Sequence, residues 1–124
     1  MGGIGRRALV VDDNAIMRTI VGRILREAQF DIVEATNGAE AIQAFFRDKP
    51  DIVLMDLNMD GIDGTAAIRG ILQINPTARI VVCSSTSDAH IVLNLLKLGA
   101  KGYVTKPFTP DKLLNAINAA LAAA

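Results

Sequence analysis

The sequence predicts an α/β fold, a doubly wound five-stranded parallel sheet with five helices in three layers. Five short apolar runs rich in β-branched residues recur along the 124 residues, and stretches with helical spacing separate them. Such runs are typical of strands buried on both faces. Because parallel strands need crossover connections, this regular alternation favours one sheet with helices on both faces. The predicted strands are Arg7–Val11, Asp31–Ala35, Asp51–Met55, Arg79–Cys83 and Gly102–Thr105.

Helix signals fill the intervals between these strands. The first helix shows an apolar stripe on one face, formed by Ile16, Met17, Ile20, Val21, Ile24, Leu25 and Ala28. The second begins at a capping box, in which Asn37 accepts backbone donors and Glu40 reaches back. Turn residues at 60–64 precede the third. Gly99 ends the fourth, and Thr109-Pro110 begins the fifth.

Composition limits the possible functions. The length suits one domain over residues 1–124, with a core at about 7–121, a flexible glycine-rich start and an alanine-rich end. That end marks either a natural terminus or the edge of a longer regulator. Thirteen basic and thirteen acidic residues cancel, so no global field attracts nucleic acid or an anionic membrane. Neither a signal peptide nor a long apolar stretch occurs, which favours a cytoplasmic protein.

Acidic side chains stand at the ends of two predicted strands. Asp12 and Asp13 follow the first strand, and Asp56 follows the third. Ligands bind such sheets outside the carboxyl ends of the strands, where the strand order reverses. If the first and third strands flank that point, the three carboxylates meet there, with Ser84 and Lys106 on the same rim. Oxygen ligands without histidine or thiol neighbours indicate Mg²⁺, with Mn²⁺ as an alternative, beside a phosphate group.

The chemistry of such a site assigns different roles to its residues. A carboxylate beside a metal can be a nucleophile, and Asp56 is the preferred candidate because it stands alone after the central strand. Asp12 and Asp13 then suit metal binding. A lysine ammonium and a serine hydroxyl, as in Lys106 and Ser84, contact phosphoryl oxygens well. Cys83 lies inside an apolar run and is interpreted as a buried structural thiol.

These motifs resemble a response-regulator receiver domain, most closely the stand-alone chemotaxis type. The resemblance runs from about Arg7 to about Leu121 in order and spacing. It is carried by Val10-Val11-Asp12-Asp13-Asn14, Leu54-Met55-Asp56-Leu57-Asn58-Met59, Ser84 and Gly102-Tyr103-Val104-Thr105-Lys106-Pro107-Phe108. It implies a flavodoxin-like fold with strand order 2-1-3-4-5.

The resemblance also implies a mechanism. A histidine kinase or phosphotransfer protein donates a phosphoryl group to Asp56, and the backbone carbonyl of Asn58 joins Asp12, Asp13 and Asp56 around the metal. Lys106 pairs with Asp56, Ser84 moves to bond the phosphate, and Tyr103 swings inward. A cis peptide between Lys106 and Pro107 is implied too.

Two departures from the family pattern occur in the loops. Asp60 replaces a common proline, and Ser85 stands where a small apolar residue is usual. Asp60 adds negative charge beside the acceptor.

The segment Ile91–Leu98 is apolar nearly all round, which is unusual for a surface helix. We therefore expect an interface on the fourth helix, fifth strand and fifth helix, with Ile91, Leu95 and Tyr103 among its residues. In the family this surface carries output or dimerisation. The expected function is a signalling switch and not an enzyme, although the domain is expected to catalyse its own phosphorylation and dephosphorylation.

Two other functions stay open. One is a constitutive interaction or dimerisation domain with a vestigial site, which retention of the site residues disfavours. The other is a phosphatase that forms an aspartyl-phosphate intermediate. Such an enzyme needs an acidic residue two positions after the nucleophile. Asn58 stands there and cannot donate a proton to the leaving group, so this reading is weaker.

Overall fold

The computed structural model describes residues 5–57, 64–85 and 88–123 and confirms the predicted fold class. Its sheet is parallel, with strand order β2-β1-β3-β4-β5. In chain order the elements are β1 (Arg7–Val11), α1 (Ala15–Glu27), β2 (Asp31–Ala35), α2 (Gly38–Asp48), β3 (Ile52–Asp56), α3 (Gly64–Ile74), β4 (Ile80–Ser84), α4 (Ala89–Leu98), β5 (Gly102–Thr105) and α5 (Pro110–Ala122).

Two strands lie one residue later than the sequence pattern predicts. The apolar run ends at Met55, but the ladder continues because the Leu57 N–H donates to the Cys83 carbonyl at 3.1 Å. Likewise the Lys106 N–H donates to the Ser84 carbonyl at 2.8 Å. Asp56 and Ser84 are therefore the last residues of β3 and β4, and the sheet holds both.

The core divides into two halves on opposite faces of the sheet. On one face α2, α3 and α4 pack against side chains such as Val53, Met55 and Val82. On the other face α1 and α5 pack against side chains such as Val10, Leu54 and Val81. Neighbouring residues of one strand thus point into different halves, so every residue of β3 and β4 is buried.

Side-chain caps begin the helices where the sequence indicates. Asn37 accepts from the Glu40 N–H at 2.9 Å, and Thr109 accepts from the Lys112 N–H at 3.2 Å. The Glu40 carboxylate accepts from the N–H and hydroxyl of Thr36, at 2.8 and 2.7 Å, rather than from Asn37. Gly99 ends α4 with φ of +134°, as a C-terminal glycine should.

No helix in the described part of the chain combines the length and the apolar character needed to cross a membrane.

Candidate functional site

Parallel pairing brings three carboxylates together at one edge of the sheet. Val11 pairs with Met55, so Asp12 and Asp56 follow in adjacent strands. One oxygen from each of Asp12, Asp13 and Asp56 lies within 4.8 Å of the others. Asp12 and Asp56 are buried, whereas Asp13 is exposed. The predicted cluster therefore forms, with one of its three carboxylates facing solvent.

Lys106 connects β5 to this cluster. Its ammonium Nζ lies 3.0 Å from Asp56 Oδ1 and 3.6 Å from Asp12 Oδ2. The side chain is mostly buried, and the Lys106-Pro107 peptide is cis, as the family resemblance implies. The ammonium thus approaches the proposed acceptor from within the fold, and leaves the Asp13 side open.

The electrostatics of the cluster favour a bound cation. Burial raises the pKa of Asp12, and the nearby negative charge of Asp56 raises it further. The hydrogen bond from the Asn14 N–H acts in the opposite direction but does not cancel the rise. Burial disfavours a charged Lys106, but the hydrogen bond to Asp56 and the charges of Asp56 and Asp12 outweigh it and raise its pKa. Three carboxylates and one ammonium leave two negative charges when all are ionised.

This donor set fits a hard divalent ion. Mg²⁺ prefers oxygen ligands, binds few protein carboxylates and keeps several waters, so an exposed Asp13 beside two buried carboxylates suits it. A divalent charge also balances the two excess negative charges. The Asn58 carbonyl, expected as a further ligand, lies outside the described residues, as does Asp60.

Ser84 and Tyr103 are placed on strands that border the site. Ser84 is buried and pairs with Thr105 at the carboxyl ends of β4 and β5. Tyr103 is half-buried on β5, opposite Val82, and packs against the core half that contains α4. Both residues therefore lie on the two strands that α4 connects.

Two supporting residues were missed by the sequence interpretation. Arg18 lies outside the apolar stripe of α1 and received no role, yet its guanidinium donates to the Asp12 carbonyl at 2.7 Å and to Glu34 at 3.1 Å. Gly64 was treated as a turn residue, but a Cβ there would lie 2.9 Å from the Asp56 carbonyl oxygen and 3.0 Å from Leu57 Cα. Asp-Gly before a helix is a weak signal for such close approach.

Cys83 is the buried thiol that the sequence predicts. Burial raises its pKa to about 12, so it stays protonated at neutral pH. It borders a cavity of only about 10 Å³ that Asp12, Asp56, Lys106 and Phe108 also line. A space of this size holds no more than about one water molecule.

The expected interface residues differ in accessibility. Ile91 is exposed and Tyr103 is half-buried, but Leu95 is 4% exposed and packs in the core. Besides Ile91, the exposed large apolar side chains of α4 are Leu93 and Leu96, which were not among the expected interface residues. The helical period explains the difference, because one face of an all-apolar helix must still meet the sheet.

Comparisons with known proteins agree with this geometry. The model of the family described as response regulator receiver domain matches residues 8–118. The chemotaxis protein CheY of Thermotoga maritima is 41% identical over 116 residues, which cover 93% of this chain and 97% of that protein. CheY of Bacillus subtilis is 40% identical over 119 residues, covering 95% and 99%.

Solved structures share the fold. The CheX–CheY–BeF3–Mg complex from Borrelia burgdorferi matches with a TM-score of 0.92 at 26% identity, covering 97% of this chain and 92% of that chain. The response regulator domain of Thermotoga maritima CheB matches with a TM-score of 0.88 at 30% identity, covering 98% of each chain. The chain therefore belongs to the response regulator receiver domain family and is of the CheY-like type.

Proposed function

We propose that the chain is a phosphoacceptor switch in a two-component pathway. A histidine kinase or phosphotransfer protein donates a phosphoryl group to Asp56 in a Mg²⁺-dependent reaction, and the phosphorylated domain then controls a partner protein or output domain. The observation that carries this proposal is the Lys106 ammonium, 3.0 Å from Asp56 and beside a cluster of three carboxylates. Exchange with such kinases places the domain in the cytoplasm.

In the proposed transfer, a carboxylate oxygen of Asp56 attacks the phosphorus of a phosphohistidine. An oxygen–phosphorus bond forms while the phosphorus–nitrogen bond breaks, and the histidine nitrogen keeps the bonding electron pair. Asp12 and Asp13 would hold the divalent ion, with Asp56 and, as the family resemblance implies, the Asn58 carbonyl as its other protein ligands. When bound, Mg²⁺ offsets negative charge on the phosphoryl oxygens.

Lys106 and Ser84 then recognise the phosphoryl group. The ammonium that pairs with the Asp56 carboxylate transfers its contact to a phosphoryl oxygen, because that oxygen carries more negative charge. The Ser84 hydroxyl donates a hydrogen bond to another. Small acyl phosphates serve as donors as well, since these same side chains catalyse the domain's own phosphorylation and dephosphorylation.

The signal leaves through the surface formed by α4, β5 and α5. Ser84 ends the strand before α4, and Lys106 directly follows β5. A displacement of these two residues therefore acts at the ends of β4 and β5, the strands that α4 connects, and β5 carries Tyr103. Leu93 and Leu96, three residues apart, give α4 an exposed apolar face that a partner or a second copy would cover, whereas Ile91 lines a groove with Thr65 and Arg69 of α3. The CheX complex of Borrelia CheY, in which BeF3 and Mg are present, supports partner binding by this kind of domain.

Radiolabelled acetyl phosphate tests the acceptor role. We expect Mg²⁺-dependent, hydroxylamine-labile labelling of the wild type, loss of the label in Asp56→Ala, and full labelling of Asp31→Asn, which changes an exposed aspartate at the start of β2. Lys106→Met should slow labelling by about tenfold or more, since it removes a charge-assisted contact. Label retained in Asp56→Ala would contradict the proposal.

Sedimentation velocity tests the output surface. With beryllium fluoride as a mimic of the phosphoryl group and with Mg²⁺, we expect the wild type to dimerise or to bind a partner. The double variant Leu93→Ser, Leu96→Ser should prevent this association. Ile16→Ser, at an exposed apolar residue of α1, is the matched control. An unchanged mass with every candidate partner, with and without the mimic, would contradict a switched surface.

A further inference from the structure

A second candidate binding site is a groove between α3 and α4, and we refer to it as the α3–α4 groove. Its volume is about 460 Å³, which falls in the range of ligand-binding clefts. The described residues that line it include neither Leu93 nor Leu96 of the proposed output face. The groove is therefore a separate surface of α4.

One face of each helix forms the walls of the groove. Thr65 and Arg69 lie one turn apart on α3, and Ile91, Asn94 and Leu98 share a face of α4. Ile91 is 42% exposed and Leu98 is half-buried. The groove thus offers apolar surface that the core of the domain does not cover.

The groove is closed at one end, where the two helices touch. Leu72 continues the groove-facing side of α3, and a Cβ at Gly99 would lie 2.8 Å from Leu72 Cδ1. This contact lies just beyond Leu98. From Ile91 to Leu98 the helix rises by about 10 Å, which matches about three residues of an extended peptide. The groove therefore has the length to hold a short segment of chain.

The charged side chains that line the groove are basic. They are Arg69 of α3 and Lys97 of α4, and both are exposed. Neither makes an ion pair among the described residues. The two helices contain no aspartate or glutamate, and the carboxylate of Asp88, which caps α4, accepts from the His90 N–H at 2.9 Å. The groove thus presents positive charge beside apolar surface, which is complementary to an anionic, apolar segment.

The chemistry of the lining favours a protein segment over a nucleic acid. Single-stranded nucleic acids bind through aromatic side chains on which their bases stack, and none of the described residues that line the groove is aromatic. Ile91 and Leu98 can instead pack against an aliphatic side chain. The Asn94 amide between them offers both a donor and an acceptor to a peptide backbone.

We propose that the α3–α4 groove is a docking site for a short acidic segment of a partner protein. The segment packs an aliphatic side chain against Ile91 and Leu98 and sets carboxylates against Arg69 and Lys97. This docking uses a different face of α4 from the proposed output face, so substitutions can test the two faces separately.

Nuclear magnetic resonance of the 15N-labelled protein tests this docking. The probe is the capped peptide Asp-Glu-Leu-Leu-Asp-Glu, and the controls are Lys-Lys-Leu-Leu-Lys-Lys and Asp-Glu-Ser-Ser-Asp-Glu. We expect saturable shifts of the amides that line the groove with the first peptide only. Arg69→Gln and Lys97→Gln should each weaken binding about threefold, as expected for a partly exposed ion pair.

Ile91→Ser tests the apolar contact and should weaken binding about tenfold, because it removes the side chain on which the peptide packs. The matched controls are Arg23→Gln and Ile20→Ser, at exposed positions of α1 on the opposite face of the sheet, and both should bind like the wild type. Every substituted side chain is exposed, so the amide spectra of the unbound variants should show the native fold.

The double variant Leu93→Ser, Leu96→Ser should keep the peptide affinity, because these side chains do not line the groove. Loss of binding in that variant would place the peptide on the output face and overturn the proposal. Absent groove shifts at millimolar peptide, or equal binding of the basic peptide, would overturn it as well. Equal binding of hexauridylate would also overturn it, since that result indicates a nucleic-acid site.

Discussion

At the scale of single residues, the site depends on how each charged group is buried. Asp12 and Asp56 are enclosed by the sheet, and Lys106 reaches them from β5. Arg18 holds the Asp12 carbonyl from α1 and is a positioning residue for that carboxylate. Cys83 lies beside these groups as a neutral thiol, because burial keeps it protonated.

Cys83 makes the stability of the folded protein depend on pH in the alkaline range. Its pKa is raised from 9.0 to about 12 in the folded protein, so the unfolded chain loses the thiol proton first. The free energy of unfolding should therefore fall as pH rises above 9, by about 1.4 kcal/mol per pH unit from this group. Urea unfolding of wild type and Cys83→Ala at several pH values measures the effect.

The difference between those two proteins isolates the thiol from other alkaline titrations. This difference in the free energy of unfolding should be constant below pH 9 and should change in favour of Cys83→Ala above pH 9. A difference that does not vary up to pH 11 would show that the thiol ionises as easily in the folded protein as in the unfolded chain.

Gly64 has a role that depends on the close approach of the start of α3 to the end of β3. A methyl group there would come closer to the Asp56 carbonyl oxygen and to the Leu57 backbone than van der Waals contact allows. Gly64→Ala should therefore lower stability by about 1–3 kcal/mol and slow the labelling of Asp56 by acetyl phosphate. Thermal unfolding and labelling rates measure the two effects.

Gly22→Ala is the control for this substitution. Gly22 lies inside α1, where an added methyl meets only the flexible end of Arg26 at 3.4 Å. Stability should be equal or slightly higher there, since alanine favours a helix interior. Equal behaviour of the two alanine variants would refute the close-approach role of Gly64.

At the scale of elements, helix caps and strand ends determine where the functional residues lie. The sequence pattern identified all five strands, because each is a short apolar run between turn signals. It ended β3 and β4 one residue early, since an aspartate and a serine look like loop residues. Hydrogen bonds to the neighbouring strand, not local propensity, include Asp56 and Ser84 in the sheet.

The cap of α2 gives a test at this scale. Asn37 accepts from the Glu40 N–H at 2.9 Å, so Asn37→Ala should lower the free energy of unfolding by about 1 kcal/mol. Asn118→Ala, on the exposed side of α5, should leave it unchanged or slightly raised. Denaturant unfolding measures both variants. If the two substitutions change the free energy of unfolding equally, the side-chain cap of Asn37 does not contribute to stability.

The site was predictable to different degrees at different residues. Asp12, Asp13, Asp56 and Lys106 follow apolar runs, so parallel topology alone brings them to one edge. Arg18 and Gly64 carry no comparable signal, because their roles depend on a side-chain contact with the Asp12 carbonyl and on the distance between the start of α3 and the end of β3. Leu95 was assigned to an interface, but only three-dimensional packing shows which side of an all-apolar helix is buried.

At the scale of the whole molecule, the burial of the charged Asp12 carboxylate opposes folding. Burial raises the pKa of Asp12 above its value in the unfolded chain, so without metal its contribution to stability falls as pH rises through that raised pKa. A divalent ion bound at the proposed site would offset this cost. We therefore expect cation binding and folding to be linked.

Thermal unfolding with Mg²⁺ measures this linkage. At a concentration 100-fold above the dissociation constant, Mg²⁺ should stabilise the wild type by about 2.7 kcal/mol. The stabilisation should fade as pH falls toward the pKa of Asp12, because protons compete for the ligands. Asp13→Asn should lose it and Asp31→Asn should keep it. Equal stabilisation of both variants would locate the ion elsewhere.

The most direct test of the phosphoacceptor role is borohydride reduction of the phosphorylated protein, followed by peptide mass spectrometry. An acyl phosphate on aspartate is reduced to homoserine, so the modified position identifies the acceptor. We predict homoserine at position 56 after treatment with acetyl phosphate and Mg²⁺, and none after chelation of the metal. Homoserine at another aspartate, or at none while Mg²⁺ is present, would contradict the assignment of Asp56.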